Sequence, residues 1–238
     1  MTDSTPYFER RIRHDRRLTP STLEHAGITP ATRDLALLST WAGRCILVDV
    51  NSGDVENQPE VGLDGVGLAL RTPSCARQRQ LRFAVSGQVG WASVWARGDT
   101  EAQRVFPVHS NTVNTVALSP DGELLAIGTG YMPLTPELKK GAVELWSLRG
   151  TPRCISHTVL QDVCTSFLGW HPSSEYLAAF STDGGQEEGH LWCLEVPSLR
   201  TIAAVRIPLG GMPVAVEFVD GGTGITVVGP HHVERRES

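Results

Sequence analysis

The chain has 238 residues, 40% of them hydrophobic, with a formal net charge of −5. This length and apolar content suit one large β domain or two small ones, and the negative charge argues against a general nucleic-acid-binding protein. No stretch approaches the roughly 20 apolar residues that a membrane-spanning helix needs. The five cysteines include no Cys-x-x-Cys pair, which predicts reduced thiols in a cytoplasmic protein, with neither a disulfide framework nor a structural zinc site.

The first 30 residues are predicted to be a basic arm. The stretch 9–17 carries five arginines and two acids, without the apolar run of a secretory signal. A solvated terminus is the simpler interpretation, and contact with RNA or acidic lipid is the alternative.

Short apolar segments follow the arm and predict strands. Segments 35–40 and 45–50 predict two strands of a first structural copy, with 54–61 as a candidate third strand and 22–29 as a candidate innermost strand. Segments 66–70, 81–85 and 91–95 predict three strands of a second copy, because short apolar runs with period-2 alternation are typical of half-buried strands.

The third copy is the clearest. Its first strand begins at Val113 and alternates between apolar and polar or small residues, and Ser119-Pro120-Asp121-Gly122 predicts a tight turn. Three more strands are predicted over 124–129, 142–148 and 154–160. Four short strands with tight turns indicate an antiparallel meander.

The same pattern recurs towards the C-terminus. The predicted strands are 165–171, 176–181, 190–196 and 201–207, then 214–218 and 225–228. The third-strand positions Val48, Trp95, Trp146 and Leu194 are separated by 47, 51 and 48 residues. Four-stranded units that repeat every ~40–50 residues indicate β-propeller blades, because stacked blades bury faces that a lone meander leaves exposed.

The best copy, from His109 to Leu148, resembles the WD-repeat family in its H-x3-V-x2-V-x-L-S-P-D-G start and its V-E-L-W strand. The resemblance covers roughly residues 35–229 and implies an all-β propeller of about four to five blades of four antiparallel strands. Many members carry a hydrogen-bonded His-Asp-Ser/Thr-Trp tetrad. His109, Thr129 and Trp146 match three of its places, while Lys140 stands where the Asp is expected.

The predicted propeller spans 31–230, followed by a C-terminal tail over 231–238. Its blades are expected at about 31–60, 61–108, 109–160, 161–208 and, as a partial copy, 209–230. This is short for the family, so the ring is small and closed, or open, or the chain is a truncated gene product. An open ring exposes strand edges that recruit other strands, which predicts self-association or a partner that completes the ring.

Two loops between second and third strands are the predicted protein-binding site. By family topology they leave the same face side by side, one with an apolar anchor and lysines and the other with acids, as partner sites often have. The alternative is a loop folded on its own blade beside a solvated acidic turn. The candidate residues are Tyr131, Met132, Leu134, Leu138, Lys139, Lys140, Glu187 and Glu188.

The resemblance implies a non-catalytic protein–protein interaction scaffold in the cytoplasm, with unidentified protein partners. The sequence holds no G-x-S-x-G elbow, P-loop or H-E-x-x-H motif, so no catalytic, cofactor-binding or metal-binding residue is predicted. Two alternatives remain open. One is a regulatory or sensor segment that works with a signalling enzyme, and the other is a propeller enzyme with its active site in the channel or on the loops.

Overall fold

The structure of the chain is a computed structural model. It describes twelve ranges: 27–30, 34–39, 45–57, 71–76, 81–87, 90–108, 112–130, 140–160, 164–182, 188–208, 215–228 and 233–237. Every sheet formed by these residues is antiparallel, and none of them belongs to an α-helix. The expectation of an all-β chain is therefore confirmed. The described residues contain no helix long and apolar enough to cross a membrane.

The strands form five sheets that follow one another along the chain. Sheet 1 consists of β1 (Gly27–Pro30), β2 (Leu35–Ser39), β3 (Cys45–Asp49) and β4 (Val55–Asn57), and sheet 2 of β5 (Arg71–Ala76), β6 (Arg82–Gly87), β7 (Trp91–Ala96) and β8 (Gln103–Val105). Sheet 3 consists of β9 (Val113–Leu118), β10 (Leu124–Thr129), β11 (Ala142–Ser147) and β12 (Arg153–Val159). Sheet 4 consists of β13 (Cys164–Trp170), β14 (Tyr176–Thr182), β15 (Glu188–Glu195) and β16 (Arg200–Pro208). Sheet 5 consists of β17 (Ala215–Val219), β18 (Gly224–Val228) and β19 (Val233–Glu237), with a short 3₁₀ turn over Asp220–Gly222.

Side-chain hydrogen bonds fix the turns between first and second strands. In sheet 3 the Ser119 hydroxyl donates to Asp121 and accepts the backbone N–H of Leu124 at 2.9 Å. Gly122 adopts a φ of 73°, in the left-handed region where glycine carries no steric penalty. The predicted Ser-Pro-Asp-Gly turn is therefore present, and β9 begins at Val113 as predicted.

The sheets pack face to face in chain order, so the three middle sheets bury apolar side chains on both faces. Leu37 and Leu47 of sheet 1 cluster with Phe83 and Trp95 of sheet 2. Between sheets 2 and 3, Ala84, Val94 and Val105 pack with Leu125, Ile127 and Trp146. Between sheets 3 and 4, Val143 and Leu145 pack with Leu177 and Leu194. Between sheets 4 and 5, Phe180 and Ile207 pack with Val216 and Val227.

The first strands of successive sheets also lie side by side. Extensive contacts join β1 to β5, β5 to β9, β9 to β13 and β13 to β17. At the last of these, a β-carbon on Gly169 would collide with the carbonyl oxygen of Val216. Among the described strands no extensive contact joins β1 to β17, so these contacts define a row of sheets rather than a closed ring.

Two strands, β5 and β19, lie where the sequence pattern predicted none. β5 lies between the predicted strands 66–70 and 81–85, and β19 lies inside the predicted C-terminal tail, while β1 overlaps the candidate innermost strand over 22–29 of the first copy. Each has a sequence without a clear apolar alternation, and each pairs through its backbone with a strand that does have an apolar pattern. The predicted strand over 66–70 lies outside the described residues.

Candidate protein-docking surface

Most of the predicted loop site lies outside the described residues: Tyr131, Met132, Leu134, Leu138, Lys139 and Glu187. The described ends of the two loops are close together, because Gly130 bridges Cys164, and Cys164 pairs with Thr182. Glu188, at the start of β15, forms an ion pair with Arg206 on β16. The proposed role of these loops in binding stays a prediction.

The described tetrad-like residues have partners other than each other. His109 lies outside the described residues. The Thr129 hydroxyl bonds the backbone of Ala142, at 3.2 Å from its nitrogen and 3.3 Å from its oxygen. The Trp146 indole N–H donates to a Glu144 carboxylate oxygen at 2.9 Å. The resemblance to the WD-repeat family implies a hydrogen bond between the indole of Trp146 and the hydroxyl of Thr129. This bond does not form in sheet 3.

An indole–hydroxyl bond does form in sheet 4. The Trp192 indole N–H donates to the Ser181 hydroxyl at 2.7 Å, and this bond is buried. By the strand register, Ser181 corresponds to Thr129 and Trp192 to Glu144. Sheet 3 thus has a carboxylate where sheet 4 has an indole.

Glu144 is a carboxylate that sequence reasoning missed. It is 0% exposed and lies two residues before Trp146, so both side chains share one face of β11. Its two oxygens also accept the backbone N–H of Val108 at 3.0 and 3.1 Å. The signal for it was a lone acid in the apolar run Ala-Val-Glu-Leu-Trp, since a buried carboxylate requires donors. The pKa of the nearby Cys154 thiol is raised, first by burial and second by the charge of Glu144.

Three large hydrophobic side chains are more than half exposed. Phe106 is 56% exposed, Val108 59% and Val159 55%, the highest values among the large hydrophobic residues with described burial. Phe106 and Val108 belong to the connection from β8 to β9, while Val159 ends β12. Isolated exposed apolar residues are common, but a contiguous group indicates a contact surface.

The strand register fixes the face of sheet 3 on which Val159 lies. On β12, His157 is opposite Glu144 and Val159 is opposite Ala142. Residues directly opposite each other project from the same face of a sheet. His157 and Val159 therefore lie on the face of sheet 3 where Glu144 holds the backbone of Val108.

Two aromatic rings and one guanidinium lie together on sheet 2, on the face opposite to the one through which Val105 packs against sheet 3. The ring centroids of Trp91 and Phe106 are 6.1 Å apart with an interplanar angle of 49°. The guanidinium carbon of Arg104 lies 4.9 Å from the centroid of Trp91, within cation–π range. We define the β8–β12 patch as Trp91, Arg104, Phe106, Val108, His157 and Val159.

The segment from Val105 to Val108, which carries the exposed Phe106 and Val108 side chains, is held at both ends. Val105 is 1% exposed and belongs to the core between sheets 2 and 3. Pro107 restricts its own φ, and Val108 is bonded to the buried Glu144. The alternation of buried Val105 with exposed Phe106 follows the strand period. A backbone segment held in this way loses little further entropy when a partner covers it.

Basic side chains lie in the patch and at its border. Arg104, Lys140 and His157 are all exposed. The backbone N–H of Leu160, which follows β12, donates to the carbonyl of Gly141 at 2.8 Å, so Lys140 lies close to the end of β12. Lys140 also ends the loop predicted from the sequence as a binding element. The structure thus places the described end of that loop at the border of the patch.

A cavity of about 340 Å³ lies elsewhere, along the first strands of sheets 3, 4 and 5. Thr115, Trp170 and Glu217 are among its lining residues. The indole N–H of Trp170 is already bonded to the carbonyl of Ala117 at 3.0 Å. Within the described ranges, no group of three or more His, Cys, Asp or Glu side chains could hold a metal ion.

No known family model matches this chain, and no significantly similar protein was found among curated proteins.

Proposed function

We propose that this chain is a non-catalytic protein–protein interaction scaffold of the WD-repeat type, and that a protein partner binds the β8–β12 patch. The observation that carries the proposal is the exposure of Phe106, Val108 and Val159, each more than half exposed, which belong to the ends of the outer strands of the neighbouring sheets 2 and 3. Apolar and aromatic side chains surrounded by polar residues are characteristic of protein interfaces.

The sheet arrangement supports the propeller part of the proposal. Four sheets have the strand order of a simple meander, and a fifth has three strands in the same order. Their faces pack in chain order, and their first strands lie side by side. Blades of a propeller pack in this way around an axis.

The test is affinity purification of the tagged chain from its own host after light crosslinking, with mass spectrometry of the co-purified proteins. The patch variant carries Phe106→Ser, Val108→Ser and Val159→Ser. The matched control is Ile202→Ser, because Ile202 is 45% exposed on the outer strand of sheet 4, away from the patch. Substitutions of exposed side chains change stability by only about 0.5 kcal/mol, so these proteins are expected to fold.

We expect a stoichiometric partner with the wild-type chain and the control, and its loss with the patch variant. Circular dichroism and thermal unfolding of the variant establish that it is folded. Recovery of the same partner in undiminished yield with a folded patch variant would contradict the role of the patch. Recovery of the chain alone in every sample would contradict the scaffold proposal itself.

A further inference from the structure

A second cavity, of about 410 Å³, lies between sheets 2 and 3. Its volume falls within the roughly 300–1,000 Å³ that small-molecule sites occupy. We propose that this cavity binds a free α-amino acid as a zwitterion, with the ligand carboxylate on Arg82 and the ligand ammonium group on Asp99 and Glu101. The cavity shares no residue with the β8–β12 patch, so the inference is independent of the proposed function.

Both sheets contribute residues to the wall of this cavity. Arg82 begins β6, Gln103 begins β8, and Leu148 follows β11 of sheet 3. On sheet 2, Arg82 is opposite Ala96. Gln103 is opposite Val94, which packs in the core between sheets 2 and 3. Because opposite residues and residues two apart on a strand share a face, Arg82 and Gln103 both project towards sheet 3.

Arg82 is a partly buried cation with unused hydrogen-bond donors. One of its guanidinium nitrogens donates to the carbonyl of Gly122 in sheet 3 at 2.9 Å, which holds the side chain across the gap between the two sheets. A guanidinium carries five N–H donors, and within the described residues this contact is the only hydrogen bond or ion pair that Arg82 forms. The planar fork that remains matches a carboxylate, which it binds in bidentate fashion.

Two acids lie in the same cavity, on the connection from β7 to β8. One oxygen of Asp99 accepts the backbone N–H of Ala96 at 2.7 Å, so this carboxylate is held in place and keeps a second oxygen for a ligand. Glu101 is exposed and forms no hydrogen bond or ion pair with the described residues. The two carboxylates can therefore accept the N–H groups of an ammonium ion, which carries three donors.

Charges of both signs line the cavity, and Arg82 pairs with neither acid. This arrangement discriminates between classes of ligand by their charge. A simple anion such as phosphate would meet Arg82 but would be repelled by the two carboxylates, and an organic cation without an acid group would leave the guanidinium without an acceptor. A free α-amino acid carries both complementary charges in a molecule small enough for the cavity.

The test is isothermal titration calorimetry of the purified full chain with each of the common L-amino acids at pH 7. For the amino acid that binds most tightly, the N-acetyl derivative removes the ammonium charge and the carboxamide removes the carboxylate charge. We expect the parent amino acid to bind and each derivative to bind at least about tenfold more weakly, because each derivative loses one charge-assisted contact.

Substitutions then locate the ligand. We expect Glu101→Gln and Arg82→Gln each to weaken binding of the amino acid about tenfold or more, and Arg82→Lys to weaken it less, because lysine keeps the charge but loses the planar fork. Glu101 is exposed, so Glu101→Gln is expected to fold even if loss of the Gly122 contact destabilises Arg82→Gln. The matched control is Glu217→Gln, at an exposed carboxylate on β17 of sheet 5, which should leave the affinity unchanged.

The inference is overturned if none of the amino acids binds, or if either derivative binds as tightly as the parent amino acid. It is also overturned if folded Glu101→Gln or folded Arg82→Lys binds the parent with wild-type affinity, or if Glu217→Gln weakens binding equally. Circular dichroism establishes that each variant is folded. None of these results bears on docking at the β8–β12 patch, which the crosslinking experiment tests by itself.

Discussion

Replacing Glu144 removes a buried acceptor that joins sheet 3 to the connection bearing Phe106 and Val108. Its carboxylate accepts the indole N–H of Trp146 at 2.9 Å and the backbone N–H of Val108 at 3.0 and 3.1 Å. Hydrogen bonds to charged groups contribute about 1.5–3 kcal/mol each. Glu144→Ala leaves both donors without this partner, so we expect a loss of about 3–6 kcal/mol from a total stability of about 5–15 kcal/mol.

Glu144→Gln separates the hydrogen bonds from the shape of the side chain. The amide keeps one carbonyl oxygen as an acceptor, but its NH₂ group faces a donor, so we expect roughly half of the loss, about 1.5–3 kcal/mol. Urea unfolding of the purified full chain measures both variants against Glu217→Ala, an exposed control expected to stay within about 0.5 kcal/mol of the wild type. A Glu144→Ala protein as stable as this control would refute the reasoning.

Two further predictions concern other parts of the chain. Gly222 has a φ of 106°, and a β-carbon there would collide with the His171 ring, so Gly222→Ala should cost about 1–3 kcal/mol or more in thermal unfolding. Gly150→Ala, at a φ of 72° with open space around the position, should lower the free energy of unfolding by less. Equal losses in the two variants would contradict the collision between a β-carbon at position 222 and the His171 ring. The charge of Glu144 contributes to the raised pKa of Cys154. Glu144→Gln should therefore lower that pKa and speed alkylation of Cys154 by iodoacetamide at pH 8, measured by peptide mass spectrometry; an unchanged rate in the folded variant would contradict this cause.

The sequence predicted those parts of the fold that depend on local patterns. The apolar alternation from Val113 and the Ser119–Gly122 turn correspond to β9 and the turn after it. Strand β5 was not predicted, because Arg-Thr-Pro-Ser-Cys-Ala has no apolar period and pairs through its backbone. The same reason applies to β19, whose Val-Glu-Arg-Arg-Glu sequence is typical of a solvated tail.

The candidate surface was harder to predict, because it depends on contacts between residues far apart in the chain. Glu144 and Val108 are separated by 36 positions, and no local sequence pattern predicts the hydrogen bond between them. The exposure of Val159 follows from its register opposite Ala142, which a one-dimensional pattern does not fix. Lys140 was named from the sequence, and the structure places it near the patch border as the described end of the predicted loop.

Site-specific photocrosslinking in the host tests the central claim most directly. A benzophenone amino acid is placed at position 106, in the patch, or at position 202, on the exposed edge of sheet 4, and the cells are irradiated. We expect a covalent adduct with one protein partner from position 106 and none of comparable yield from position 202. Adducts from position 202 alone, or equal yields of the same adduct from both positions, would contradict docking at the β8–β12 patch.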